Sequence, residues 1–134
     1  MKSDGHPHTV SVDDAIAALT FLSDRTPETT DAESAEAFSE LSSYRDGGIY
    51  VGHWAGRSEW ERHPVGDEIV MIVDGTTTMF FLTDDGEVST DLAAGEIIVV
   101  PRGSWHRFET PDRVKVLSVT PQPSDHRADR PAST

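Results

Sequence analysis

There is no cysteine among the 134 residues. Disulfides and thiolate-bound metals are therefore excluded, and any metal site must use imidazole nitrogen and carboxylate oxygen. Lysine is almost missing: Lys2 and Lys115 stand beside nine arginines and 24 acidic residues, for a formal net charge of −13. Nucleic acid and anionic membranes are bound by clustered cations that displace counterions, and no stretch supplies them. The acidic excess reads as solubility. No run approaches the roughly 20 apolar residues of a membrane span. The opening, Met1 to His8, has no apolar core and does not read as a signal peptide, which makes the cytoplasm the expected setting. Hydrophobic residues are scarce, at 36%, so part of the chain is expected to stay outside the core. The length fits one domain, able to bury about two-thirds of its unfolded surface.

What is present is strongly patterned. Ser11-Val12-Asp13-Asp14 is a helix start with Ser11 as N-cap, and Val12, Ile16, Leu19 and Leu22 form one stripe at helical spacing. The spacing predicts a short helix over about 12–22. Residues 24–36, rich in Asp, Glu, Thr and Ser, read as a surface loop, and 1–37 together as an N-terminal segment. From Phe38 the period becomes two. Strands are expected over 38–44, 49–54, 59–63, 68–73, 79–82, 88–92, 97–100, 106–109 and 114–120. Turn chemistry separates them, such as Asp46-Gly47-Gly48, Asp74-Gly75 and Thr110-Pro111-Asp112. Many short strands without a helical crossover indicate an all-β, antiparallel sandwich or barrel over 38–120. Residues 121–134 have the composition of a disordered tail.

The chemistry gathers around two segments. In Trp60-Glu61-Arg62-His63, alternation puts Glu61 and His63 on one face and Trp60 and Arg62 on the other. Glu68 opens the returning strand, on a face with Val70 and Ile72. Downstream, Pro101 ends a strand because it cannot donate to the ladder, Gly103 permits a turn, and His106 starts the next strand. Glu61, His63, Glu68 and His106 are thus candidates for a compact metal site at one end of a barrel interior.

Spaced as they are, these residues resemble the cupin superfamily, the small RmlC-like jelly-roll barrels. His63, four residues, Glu68, six residues and Gly75 match the first cupin motif; Gly95, five residues, Pro101-x-Gly103, two residues and His106 match the second. The resemblance implies an antiparallel double-stranded β-helix, or jelly roll, and a divalent metal (Mn, Fe, Ni or Zn) held by Glu61, His63, Glu68 and His106. It further implies dioxygenase, decarboxylase, isomerase or lyase chemistry on a small organic molecule, or non-catalytic small-molecule binding without metal. Homodimers are common in the family, and one is expected here. Two positions depart from the pattern: Glu61 stands where the family usually has His, and Thr110 where it often has Asn. Two imidazoles and two carboxylates carry −2 and cancel a divalent ion, whereas three His and one Glu leave +1. More oxygen favours harder ions such as Mn²⁺ or Fe²⁺ and acidifies bound water less. Alternatively, His63, Glu68 and His106 form a two-His, one-carboxylate face, and Glu61 stands beside it as a hydrogen-bond acceptor or a base. A similar arrangement, with an acid two residues before the first ligand His, occurs in 3-hydroxyanthranilate dioxygenases. Glu61 and Glu68 are the candidates for moving a proton when they are not ligands.

The remaining aromatic and basic residues read more plainly. Trp54, Trp60 and Trp105 are expected to fill space, with Trp60 and Trp105 facing away from the site. Phe80 and Leu82 are expected inside. His53 is expected at the surface or an interface, and His6, His8 and His126 in tails. Arg62, Arg102 and Arg107 are the candidates for recognising an acidic substrate, but Arg62 and Arg107 face outward by parity and are expected in ion pairs with surface acids. Both faces of 69–73 and 97–100 are apolar, so the outer face needs cover from the N-terminal segment or from a second subunit.

Overall fold

The computed structural model of the chain describes residues 5–132; residues 1–4 of the polar N-terminal stretch and 133–134 of the expected tail lie outside them. Ser11 caps helix α1 (Val12–Ala17), its hydroxyl accepting from the Asp14 amide at 3.1 Å. The helix is shorter than its apolar stripe predicts. Leu22 has left it for strand β1 (Leu22–Arg25), which runs parallel to β3 (Gly47–Arg57). Backbone pairing with an available sheet edge overrides the local helical periodicity. The stripe is divided accordingly: Val12 and Leu19 pack with Ile16, Leu41 and Val51 on the outer face of the sheet, while Leu22 packs on the inner core. The segment expected to be a loop contains the end of β1 and a one-turn helix α2 (Asp31–Ser34), closed by a Thr30–Glu33 capping box.

Seven further strands follow: β2 (Phe38–Tyr44), β4 (Trp60–Arg62), β5 (Glu68–Thr83), β6 (Gly86–Ala93), β7 (Ile97–Val100), β8 (His106–Pro121) and β9 (Asp125–Arg127). All their pairings are antiparallel. The 16-residue strands β5 and β8 carry the architecture. The first half of β5 pairs with the second half of β8 (Ile72 with Val116), and the second half with the first (Phe81 with His106). Asp74-Gly75, expected as a turn, is an irregularity inside β5, where the register slips between Ile72 and Asp74 and again between Gly75 and Thr78. Such a bulge bends a strand without ending it. Each long strand therefore contributes to both layers, and Trp54, Val70, Ile72, Met79, Phe81, Leu92, Val100 and Val114 meet between them. This is the expected all-β antiparallel jelly roll with a short N-terminal helix, and its hydrogen-bonded ladder stays open rather than closing on itself.

The bulge also shifts side-chain parity, because one extra residue moves every later side chain to the other face. Glu68, Val70 and Ile72 face inward before it, and Met79 and Phe81 after it. Phe80 and Leu82, expected inside, lie instead on the outer face, where Leu82 is buried under Trp60 and Trp105 and Phe80 packs beside them.

The segment expected to be a disordered tail is placed on the barrel. Asp125–Arg127 pairs along β4, with Glu61 opposite His126, and Arg62 Nε is 2.8 Å from an Asp125 carboxylate oxygen. Composition suggests disorder when a segment has no apolar surface to bury. This one instead uses the exposed backbone edge of β4. Among the described residues, no helix is long and apolar enough to cross a membrane.

Candidate metal centre

The four residues singled out above come together at one end of the barrel interior. Glu61 is directly opposite His106 across β4 and β8, His63 follows β4, and Glu68 opens β5. The connections that carry the two motifs are latched to each other. The Gly103 amide donates to His63 O at 3.0 Å, the Arg102 amide to Asp67 Oδ1 at 2.8 Å, and Arg102 Nε to Pro64 O at 2.6 Å. The spacing within each motif matters because both turns must reach this common clasp.

Glu68 Oε1 is 3.2 Å from His63 Nε2 and 3.2 Å from His106 Nε2. Glu61 Oε1 is 3.5 Å and 3.4 Å from the same two nitrogens. His63, Glu68 and His106 are almost wholly buried, while Glu61 is partly exposed. His63 Nε2, His106 Nε2 and Glu68 Oε1 are buried atoms without a hydrogen-bond partner among the described residues. They approach one another closely yet are not aligned along N–H axes. Buried polar atoms are rarely left so; here they aim at a shared point rather than at each other. Four atoms with these separations surround a centre about 2.0–2.4 Å from each, the range of metal–nitrogen and metal–oxygen bonds. The donor set therefore fits a divalent ion.

The far side of each ligand group is fixed. His106 Nδ1–H donates to the Ser104 carbonyl at 2.9 Å. His63 Nδ1 is 2.8 Å from Ser124 Oγ, which donates onward to Gln122 Oε1 at 3.1 Å. With Nδ1 as donor in both rings, a neutral imidazole presents its lone pair at Nε2, the tautomer a metal requires. Glu68 Oε2 accepts a 2.6 Å hydrogen bond from Thr120. Ser124 and Thr120 were not predicted from the sequence. The signal for Thr120 is parity with His106 along β8; Ser124 lies in the segment read as a tail and gives none.

Without an ion, the groups compensate each other. Burial alone would hold both imidazoles neutral, but the close Glu61 and Glu68 carboxylates outweigh it, raising His63 to about 9 and His106 to about 10. Burial likewise opposes charge on Glu61 and Glu68, and the facing imidazoles overcome it, holding Glu61 well below and Glu68 below the usual carboxylate range.

Residues 53–120 match the family model of the cupin domain. The chain is a cupin. Over 59 residues this cupin is 36% identical to acireductone dioxygenase of Sulfurihydrogenibium sp. (strain YO3AOP1), a stretch covering 44% of the chain and 33% of that protein. It thus spans about a third of that relative's length. A Neisseria meningitidis protein superposes with a TM-score of 0.63 at 17% identity, over 86% of this chain and 100% of that one. Hydroquinone 1,2-dioxygenase of Sphingomonas sp. TTNP3, solved with 4-hydroxybenzoate bound, does so with a TM-score of 0.55 at 18% identity, over 64% of this chain and 65% of that one. At these identities the two structural likenesses are of fold.

The other sequence candidates fall outside this cupin's interior centre. Arg62 stacks 4.7 Å from the Trp105 ring centroid and pairs with Asp125. Arg107 pairs with Glu109 at 2.9 Å and lies over Phe80. Trp54 is buried in the core and lines the cavity beside the centre. His53 packs against Phe21 with the rings tilted at 45° and their centroids 4.8 Å apart. His126 is 3.1 Å from Glu59 and 3.7 Å from Glu61, which brings it to the rim of the site. Thr110, the second departure from the motif, is buried and 2.8 Å from the Thr77 hydroxyl.

Proposed function

We propose that this cupin binds one divalent metal ion through Glu61, His63, Glu68 and His106 and acts on a small organic molecule in the cavity beside it. The observation that carries the reading is the set of three buried atoms, His63 Nε2, His106 Nε2 and Glu68 Oε1, left without hydrogen bonds around a centre of bonding size. The oxygen-rich set suits Mn²⁺ or Fe²⁺ among the divalent ions, with Ni²⁺ and Zn²⁺ also accommodated. A dioxygenase-type reaction is the reading favoured within the wider set of decarboxylase, isomerase and lyase chemistries, supported by the dioxygenase names among the relatives. When bound, the ion would supply Lewis-acid polarisation of substrate oxygens and a site for O₂. The chain's own residues do the rest. Ser104 and Ser124 hold the imidazoles in the required tautomer, and Thr120 orients Glu68. Glu61 is the most exposed of the four and the farther carboxylate from both imidazoles. It is therefore the group placed to leave the ion and move a proton at Oε1.

The test is metal analysis of protein purified without chelator, followed by titration with Mn²⁺, Fe²⁺, Ni²⁺ and Zn²⁺. About one equivalent is expected, and a His106→Ala variant should lose it while keeping its circular dichroism spectrum. A second reading, a metal-free small-molecule-binding cupin, is favoured by the mutual charge compensation of the four groups. It wins if uptake stays below about a tenth of an equivalent for every ion, a threshold set for a site expected to bind appreciably.

The homodimer belongs to the same proposal. Ile97 and Val99 on β7 and Ile69 on β5 are exposed at 62%, 55% and 36%, side by side on the outer face. A second copy covering this face would double the 14.7 kDa chain in sedimentation equilibrium, and Ile97→Lys should return it to monomer mass with the metal site intact. A wild-type monomer would remove the dimer from the reading.

A further inference from the structure

Arg25 is a buried cation that the proposed metal chemistry leaves without a task. Its side chain is 14% exposed, yet it lines the cavity of about 200 Å³ that also reaches Glu61 and Glu68. The fold goes to some length to put it there. β1 pairs Arg25 with Gly56, and Gly56 has φ +116°, with a Cβ at that position falling 2.1 Å from Arg25 O. Only glycine allows this approach. The guanidinium then lies over two rings, 4.5 Å from the Trp54 centroid and 5.1 Å from that of Phe38. Its ion pair with Glu59 is loose, at 3.6 Å, against the 2.7–2.9 Å typical of a charge-assisted bond. Glu59 is moreover shared, because its other oxygen meets His126 Nδ1 at 3.1 Å. A guanidinium has five N–H donors in a planar fork matched to a carboxylate, and the loose pair with Glu59 leaves most of them unused.

We propose that Arg25 is the anion-recognition residue of this cupin and that the cavity takes a small carboxylic acid. Its carboxylate sits on the Arg25 fork and a second oxygen function faces the His63–His106 cluster. This rests on the proposed metal site only for the second oxygen. A cavity of 200 Å³ has the volume of roughly seven waters, which limits the ligand to a single ring or a short chain. Phe38, Tyr50 and Phe108 also line the cavity and suit a flat body. The other ionisable groups lining the cavity are Tyr50, Glu61, Glu68 and His126. Arg25 is the permanently charged cation of this lining, whereas His126 is shared between Glu59 and Glu61 at the rim.

Calorimetric titration of the Zn²⁺-loaded protein with salicylate and glycolate, against neutral salicylamide and ethylene glycol, tests this, with bound Zn²⁺ measured after each run. At least one acid should bind tenfold or more tightly than its neutral counterpart. Arg25→Met, which keeps apolar contact with the rings, should erase that preference while Zn²⁺ stoichiometry stays at the wild-type value. A preference that survives Arg25→Met overturns the proposal, as does failure of both acids to bind the wild type. If Arg25→Met does not fold, Arg25→Lys decides, since it keeps the charge and loses the fork. Several-fold weaker acid binding supports the assignment, and unchanged binding overturns it. Absence of Zn²⁺ uptake by the wild type would defeat the metal reading alone. The metal-free protein would then be titrated with the same acids, and an Arg25-dependent preference is still required of it.

Discussion

His63 and His106 offer Nε2 to the same point because each has its Nδ1 committed elsewhere, His106 to a backbone carbonyl and His63 to the Ser124 hydroxyl. The two arrangements differ in how far they can be altered. The carbonyl cannot be mutated, but Ser124→Ala removes the acceptor and leaves the ring free to turn. Loss of such an orienting partner costs about 10–100-fold in metal affinity, so competition titration with a chromophoric chelator should show at least a tenfold weaker site. An affinity within about twofold of wild type would mean that Ser124 does not position the ring. The four residues of the centre were legible in the sequence because motif spacing and strand parity are both local properties of the chain. Ser124 and Arg25 were not. Ser124 reaches His63 through a strand with no apolar signature, and Arg25 reaches the cavity through a parallel pairing that a glycine 31 positions later permits.

The elements divide in the same way. β2 and β7 have the bounds that alternation and turn chemistry predict, 38–44 and 97–100. β5 and β8 were each read as two strands, because Gly75 and Pro111 look like stops. The sequence marks where a backbone departs from regularity but not whether the chain turns back or bulges and continues. That distinction depends on the neighbouring strand, and it decided the placement of Phe80 and Leu82. The bulge has an energetic consequence. It allows Val70 and Ile72 from one half of β5 to meet Met79 and Phe81 from the other in a single core. Ile72 is fully buried there, so Ile72→Ala should destabilise the protein by about 2–5 kcal/mol, the transfer and cavity terms together. Urea unfolding followed by tryptophan fluorescence measures this, since Trp54 packs in the same cluster. A loss under about 1 kcal/mol would mean that the two halves of β5 do not share a close-packed core.

Over the whole molecule, 24 acidic residues face 11 cations, and at the centre the buried Glu68 and half-buried Glu61 carboxylates are compensated by two buried imidazoles. Stability should therefore depend on pH with opposite slopes in the two metal states. In the metal-free protein, His63 and His106 have folded values of about 9 and 10, raised above the ordinary 6.5. Their contribution is present in full below about 6.5 and is lost as pH rises through the folded values. Glu61 and Glu68 are lowered, so their contribution is present above the ordinary 4.5 and is lost on acidification. The metal-free melting temperature should peak between these limits and fall on the alkaline side. Metal binding requires both imidazoles unprotonated and so displaces their protons near neutral pH. Apparent affinity, and with it the stabilisation by a fixed excess of metal, should then grow as pH rises. Thermal melts with EDTA and with Mn²⁺ at pH 6.0, 7.0 and 8.5 should show the two curves diverging. His106→Gln, which cannot carry the charge, should flatten the alkaline limb of the metal-free curve. A metal-free Tm that climbs steadily from pH 6 to 8.5, or a metal-induced shift that shrinks over that range, would refute the linkage between the two buried imidazoles and the ion.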